Sequence, residues 1–338
     1  MYTRKTGLAA LGFALTLLTT LSWPASAHNP AATHDFDGNN YSDFAWQDAS
    51  GDVAIWLFTP GLGTVGSNII GTMSPGDGWN LVGEDKFLDG GSQLLWQNLK
   101  TNQLVIWTVI GFGGFVKNQI DIGYGTSPWR AVGTGDFDGN GYADILWRNF
   151  DTGEVGIWLM SNGTVVSRAT VPGDTSWTIK GVGDFNGDGM ADILWQNVNT
   201  NALSIWFMNG TQIISDAGFG PANGGWNIVG IGDFNGDGMA DILWESNDYQ
   251  VGIWLMDGAT PTAQVVVPGQ PVDWKIINTG DYNGDGKSDI AFQNLDSFAV
   301  TIWCVSDTQT IPCGGNLTHQ PPPGPWYLQG PNRMAPFP

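Results

Sequence analysis

The sequence predicts an all-β fold, a six-bladed β-propeller of four-stranded antiparallel blades. Three observations point to it. Seventeen of the eighteen tryptophans fall into three registers of one repeat of about 49 residues. Five acidic loops recur in step with that repeat. The strand missing from the first repeat stands at the C-terminal end of the array.

The first tryptophan register is Trp79, Trp129, Trp177, Trp226, Trp274 and Trp326. The second is Trp46, Trp96, Trp147, Trp195 and Trp244, with Phe292 in the sixth place. The third is Trp56, Trp107, Trp158, Trp206, Trp254 and Trp303. Trp23 alone stands outside. So large a side chain recurs at fixed spacing only if each repeat folds into the same unit. The fourth unit reads as a strand at 177–181, an acidic loop from Asp184 to Asp192, and a second strand at 193–196. A turn at 197–201, a third strand at 203–208, an Asn209-Gly210 hairpin turn and a fourth strand from 211 follow. No segment has helical periodicity. The first unit opens at Asp35 with no Trp-led strand before it. An orphan segment, 326–330, matches 177–181 and 226–230. Pairing 326–330 into the first blade closes the ring and removes an open edge.

Residues 1–27 read as a secretory signal. Arg4 and Lys5 are followed by an apolar run at 8–21, too short for a comfortable membrane span, and by Ala25-Ser26-Ala27 as a cleavage site. A secreted or periplasmic location is expected, with no membrane insertion. Residues 28–330 form one propeller domain and 331–338 a C-terminal tail. The net charge of −20 disfavours a nucleic-acid partner, because nothing neutralises phosphates. In an exported chain Cys304 and Cys313 are expected to form a disulfide, the alternative being two buried thiols.

Much of the acid sits in the five loops, where positions 1, 3, 5 and 9 are Asp or Asn. The sets are Asp35, Asp37, Asn39, Asp43; Asp136, Asp138, Asn140, Asp144; Asp184, Asn186, Asp188, Asp192; Asp233, Asn235, Asp237, Asp241; and Asp281, Asn283, Asp285, Asp289. Position 7 (Tyr41, Tyr142, Met190, Met239, Lys287) has no common side chain, which suits a backbone carbonyl ligand. Alternate oxygens on a tight loop converge on one centre. Hard oxygen donors in that number favour Ca2+ over Mg2+, and Zn2+ would require His or Cys. The second unit, residues 85–93, departs from the pattern. Counted from Asp85, it carries Phe87 at position 3 and Gln93 at position 9, and Lys86 adds a positive charge. About five Ca2+ sites are expected, with this loop empty.

The run from Gly183 through Asp184-Phe185-Asn186-Gly187-Asp188-Gly189 to Ile193-Leu194-Trp195 resembles the FG-GAP or VCBS-type repeat of integrin α-chain propellers and many secreted bacterial proteins. The resemblance covers nearly all of the expected mature chain. It implies a propeller with Ca2+ loops. It leaves function open, because members include adhesion proteins, lectins and domains attached to polysaccharide-degrading enzymes. Integrin-type propellers have seven blades, whereas the count here is six.

An enzyme is the least supported class. His28, His34 and His319 stand outside any motif; the loops account for most of the paired carboxylates, and Glu154 and Glu245 are left as possible catalytic acids, the alternative being solvated surface acids. The first reading is a non-catalytic module for extracellular carbohydrate. Second- and third-register aromatics are expected in the core. First-register tryptophans follow polar loops, as in Thr126-Ser127-Pro128-Trp129, and are candidate sugar platforms. A polar residue follows each second-register aromatic: Gln47, Gln97, Arg148, Gln196, Glu245 and Gln293. Arg148 and Glu245 are its charged members and join the candidate ligand residues; the alternative is that the series satisfies backbone groups. The second reading is a protein-binding or adhesion module using variable loops at 58–78 and 112–127, with Ca2+ purely structural.

Overall fold

The computed structural model describes residues 34–48, 50–110, 116–221, 224–267, 269–306, 309–314 and 326–329. The expected leader and tail lie outside these. Among the described residues there are 24 strands and a single 3-10 turn at Pro75–Asp77.

Blade 1 holds β1 (Phe44–Asp48), β2 (Asp52–Thr59) and β3 (Gly63–Thr72). Blade 2 holds β4 (Trp79–Asp85), β5 (Gln93–Asn98), β6 (Gln103–Ile110) and β7 (Val116–Tyr124). Blade 3 holds β8 (Trp129–Gly135), β9 (Asp144–Asn149), β10 (Val155–Ser161) and β11 (Thr164–Val171). Blade 4 holds β12 (Trp177–Gly183), β13 (Asp192–Asn197), β14 (Leu203–Asn209) and β15 (Gln212–Phe219). Blade 5 holds β16 (Trp226–Gly232), β17 (Asp241–Ser246), β18 (Val251–Asp257) and β19 (Thr260–Val267). Blade 6 holds β20 (Trp274–Gly280), β21 (Asp289–Asn294), β22 (Val300–Ser306) and β23 (Gln309–Gly314). The last strand, β24 (Trp326–Gln329), pairs antiparallel with β1, Trp46 opposite Leu328 and Asp48 opposite Trp326. All six sheets are four-stranded and antiparallel, so the expected six-bladed ring with its C-terminal closure is present.

Two segments differ from the expectation. The stretches 58–78 and 112–127 are not mainly loops: they contain the outer strands β3 and β7, paired along their length with β2 and β6. Their glycines and polar residues mask the strand pattern, which partner strands impose. In blade 4 the hairpin turn is Gly210-Thr211, because Asn209 still pairs with Gln212. Gly210 takes the positive φ the turn requires.

The first strands of successive blades touch around the axis, β4 with β8, β8 with β12, β12 with β16, and β16 with β20. Glycine permits this approach. A Cβ on Gly181 would lie 2.3 Å from Ile231 of the next blade. Second strands are buried on both faces. Ile193 and Trp195 pack with Leu146 and Ile157 of blade 3, while Leu194 packs with Ile242 and Trp244 of blade 5. The core is therefore a ring of six inter-blade sectors. Every second-register aromatic is buried, as are Trp56 and Trp107, whereas Trp158, Trp206, Trp254 and Trp303 are half-buried. In each blade the second- and third-register rings lie tilted against one another, with centroids 4.6–5.5 Å apart.

Candidate functional site

Two repeated features sit at opposite ends of the strands. In blade 3 the chain leaves Trp129, climbs β8 to the acidic loop, and returns along β9 to Trp147 and Asn149. The acidic loops occupy one rim and the first-register tryptophans start at the other.

In each acidic loop the first Asp caps the turn with its own carboxylate. Asp184 Oδ1 accepts from Gly187 N (2.7 Å) and Asp188 N (3.2 Å), and Oδ2 accepts from Gly189 N (2.7 Å). Asp35, Asp233 and Asp281 do the same, and Asp136 takes the amides of Asn140 and Gly141. Position 9 ties the loop to its blade. Asp144 Oδ2 accepts from Phe137 N at 2.8 Å, and Oδ1 from Met160 N of β10 at 2.6 Å. The aromatic at position 2 (Phe36, Phe137, Phe185, Phe234, Tyr282) is buried as an anchor. Carboxylate oxygens of Asp35, Asp37 and Asp43 lie within 4.8 Å of one another, as do those of Asp136, Asp138 and Asp144. Asp37 Oδ2 is buried without a hydrogen-bond partner. In the other three loops Asn at position 3 donates to the position-5 carboxylate, at 3.0 Å for Asn186–Asp188, 2.7 Å for Asn235–Asp237 and 3.0 Å for Asn283–Asp285.

Burial, and then the neighbouring carboxylates, pushes these acids toward the neutral form. Asp37 rises to about 6, Asp144, Asp192 and Asp241 to about 7, and Asp289 to about 8. Convergent, crowded oxygens with an orphaned carboxylate oxygen fit a hard divalent cation.

The loops are also joined to one another. The position-8 amide of each blade donates to the first-position carbonyl of the blade before: Ala191 to Asp136 at 2.7 Å, Ala240 to Asp184 at 2.6 Å, and Ser288 to Asp233 at 2.6 Å. Blade 2 corrects the register read from sequence. Ala143 N donates to Lys86 O, and Phe87 takes the buried anchor place. Lys86, not Asp85, thus holds position 1, and Phe87 holds position 2. The loop is one residue shorter, and the amide Oε1 of Gln93 accepts from Phe87 N (2.7 Å) and Leu88 N (2.8 Å) in place of a carboxylate.

One buried pair escaped the sequence reading. His34 Nδ1 lies 3.3 Å from Glu84 Oε2, both buried. Burial holds His34 down at about 4, and burial and then Asp43 hold Glu84 well above the ordinary carboxylate range. Nothing in its pattern marks Glu84: it stands on β4 where later blades carry Thr134, Val182, Ile231 and Thr279.

At the opposite rim, three consecutive blades carry equivalent pockets. In blade 3, Trp129, Trp147 and Trp158 line a cavity of about 460 Å3, bordered by 124–126 of the preceding linker. In blade 4, Trp177, Trp195 and Trp206 line one of about 330 Å3, bordered by 172–174. In blade 5, Trp226, Trp244 and Trp254 line a smaller one of about 90 Å3. All three registers therefore contribute one ring each, and the linker from the preceding blade borders the first two pockets. A small residue faces the second-register tryptophan in each: Gly156, Ser204 and Gly252. In blades 1, 2 and 6 that register carries Ala54, Val105 and Thr301. A Cβ on Gly252 would meet Trp226 at 2.9 Å. The buried indole N–H groups of Trp46, Trp96, Trp147, Trp195 and Trp244 all lack a hydrogen-bond partner, so that feature belongs to the register and does not single out the pockets.

The first-register rings are half-buried at Trp79, Trp129, Trp177, Trp226 and Trp274, and the side chain of Trp326 lies outside the described ones. Trp129, Trp177 and Trp226 are pocket walls shared with the other registers. Three members of the polar series, Gln47, Gln97 and Arg148, bond to backbone of the linker or first strand that leads into the next blade. Gln47 Nε2 donates to Met73 O (2.7 Å), and Gln97 Oε1 accepts from Ala131 N (3.1 Å). Arg148 Nη2 donates to Asp174 O (2.7 Å) and Trp177 O (2.8 Å), with the guanidinium stacked 4.9 Å from the Trp195 ring. Glu245 is half-buried, 4.0 Å from Lys275, while Glu154 is exposed and bonded to Thr152. Cys304 is buried and accepts from Asn283 Nδ2 at 3.0 Å; the side chain of Cys313, its expected partner, lies outside the described ones.

The family model for the FG-GAP-like repeat matches residues 136–195, 184–244 and 233–292. Each match runs from the first Asp of one loop to the second-register aromatic of the next blade. No curated protein matches the chain. Among solved structures it is similar to BBS1N in its complex with ARL6DN, at a TM-score of 0.46 and 10% identity over 85% of this chain and 80% of that one. It is similar to a post-proline cleaving enzyme from Rickettsia typhi at a TM-score of 0.43 and 9% identity, over 87% of this chain and 56% of that one. Both likenesses are too distant to bear on function. With its acidic loops, its matched repeats and its closed ring of six sheets, the chain belongs to the FG-GAP-repeat β-propellers.

Proposed function

We propose that this propeller is a secreted, Ca2+-stabilised, non-catalytic binding module for extracellular carbohydrate. The observation that carries the reading is the recurrence of one three-tryptophan pocket in blades 3, 4 and 5. Apolar walls with a few polar groups at the mouth suit the faces and hydroxyls of a pyranose. Repetition at fixed spacing gives multivalency.

Ca2+ would be held by positions 1, 3, 5 and 9 of the five acidic loops, with the carbonyl of position 7. When bound it supplies positive charge that offsets the carboxylate repulsion. The residues themselves brace the rim through the inter-blade amide contacts. Because the pockets lie at the far end of the strands, the cation acts on them through the stability of the ring. Export, and a Cys304–Cys313 disulfide in its wake, belong to the same proposal.

A glycan array on the protein freed of residues 1–27 tests this. Binding to a defined sugar by the wild type, lost in the triple variant Trp129→Ala, Trp177→Ala, Trp226→Ala while circular dichroism stays native, is the expected result. A folded wild type that binds no glycan would overturn the reading and turn the search to protein partners.

A further inference from the structure

The three pockets share their walls but differ in charge at one place. The fourth-strand residue opposite the third-register tryptophan is Arg168 in blade 3, Asp216 in blade 4 and Gln264 in blade 5. Each lines its own pocket. We infer that the blade 3 pocket is selective for a sugar unit carrying a carboxylate, with Arg168 as the residue that selects it. This rests on the carbohydrate reading above and adds the class of sugar.

The state of Arg168 supports the inference. Its guanidinium lies over the face of Trp158, 4.1 Å from the ring centroid. Stacked in that way it keeps its N–H groups in the plane, available to the cavity. Among the described residues no carboxylate lies within salt-bridge distance of it, although the chain has 32 acidic residues against 12 Lys and Arg. Asp216, by contrast, is engaged by the hydroxyl of Ser204. A planar fork of free donors beside an apolar wall matches a planar, two-oxygen acceptor held against a pyranose ring. The blade 3 cavity is also the largest of the three. The chain's net negative charge opposes an anion at long range, but that field is screened beyond about 8 Å at physiological ionic strength, so the contact decides.

The test is calorimetric titration, in Ca2+, of the protein freed of residues 1–27. The probes are a β-1,4-linked glucose trisaccharide, its C6-carboxylate counterpart, and a 6-O-sulfated form. The wild type is expected to bind the carboxylate form at least tenfold more tightly than the neutral one at a single site. Arg168→Gln, an exposed change on an outer strand, should bring the affinities for the neutral and carboxylate forms within twofold of one another. Arg168→Lys should recover only part of the preference, because an ammonium lacks the fork. Gln264→Arg should add a second acid-selective site in blade 5. Equal binding of neutral and carboxylate forms, or an unchanged preference in Arg168→Gln, would overturn the inference and leave the carbohydrate reading standing. Equal or tighter binding of the sulfated form would replace carboxylate selection with general anion attraction. Binding of none of the three would count against both.

Discussion

The backbone N–H of Ser42 donates to the carbonyl of Asp281 at 2.8 Å, although the two residues stand at opposite ends of the repeat array. It is the same contact that Ala191 makes to Asp136, and it completes a circuit in which all six blades are tied rim to rim. The ring is therefore closed twice, once by this bond between loops and once by β24 within blade 1.

Removing residues 326–338 should expose the edge of β1 and take away the first strand of blade 1. An open edge is both a lost ladder and a template for pairing with another copy. The truncated chain is expected to unfold at a clearly lower temperature and to associate with rising concentration in size-exclusion chromatography. An unchanged melting temperature with a monomeric profile would show that the terminal strand contributes little.

Cation counting separates the loops. Five Ca2+ per chain are expected by atomic emission after gel filtration, because blade 2 offers Lys86 and Gln93 where the others offer carboxylates. Each site held at a hundredfold excess over its Kd contributes about 2.7 kcal/mol. Chelation should therefore lower the melting temperature steeply. A sixth ion, or a melting temperature indifferent to chelator, would contradict the assignment.

The metal-free protein should depend on pH in an unusual direction. Asp144, Asp192 and Asp241 sit at about 7 and Asp289 at about 8 in the fold, against about 3.9 for an exposed Asp. A carboxyl raised in this way leaves the folded state holding more protons than the unfolded one between those values. Its favourable contribution is complete below pH 4 and is lost as pH rises to 7 and 8. Thermal scans in chelator should show greater stability at pH 5 than at pH 8. In excess Ca2+ the order should reverse, since protons compete with the ion.

Tryptophans of different registers should fail differently. Trp195 is 2% exposed in an inter-blade sector, so Trp195→Ala is expected to cost about 3–5 kcal/mol by chemical denaturation. Trp177 is half-buried at the pocket wall, and its replacement by Ala should cost less stability and more ligand binding. Gly252→Val places a side chain against Trp226 and should close the blade 5 pocket. A variant that folds and still binds at full stoichiometry would show that this pocket is not used.

Blade number, closure and loop positions were legible because each is a local pattern repeated at one spacing. The strand Ile193-Leu194-Trp195 is apolar at every position because a blade is covered on both faces. Glu84 was not legible, since a single acid on an inner strand has no periodic partner, and its burial against His34 depends on the first two blades meeting. The place of Lys86 was misread by one residue. A short loop can be aligned from either end, and the amide of Ala143, in the next blade, decides which end holds.

The residues alone determined that this chain is a ring of like units with oxygen-rich loops, because hydrophobic spacing and turn chemistry act over a few residues. Only the tertiary structure decided that three tryptophans of different registers share one cavity, and that Gly156 and Gly252 face its first-register wall. It also decided that Arg148 is spent on backbone carbonyls while Arg168 is left at a pocket mouth. Those outcomes depend on the pairing register of four strands and on which neighbouring blade each face meets, and no local run of sequence encodes them.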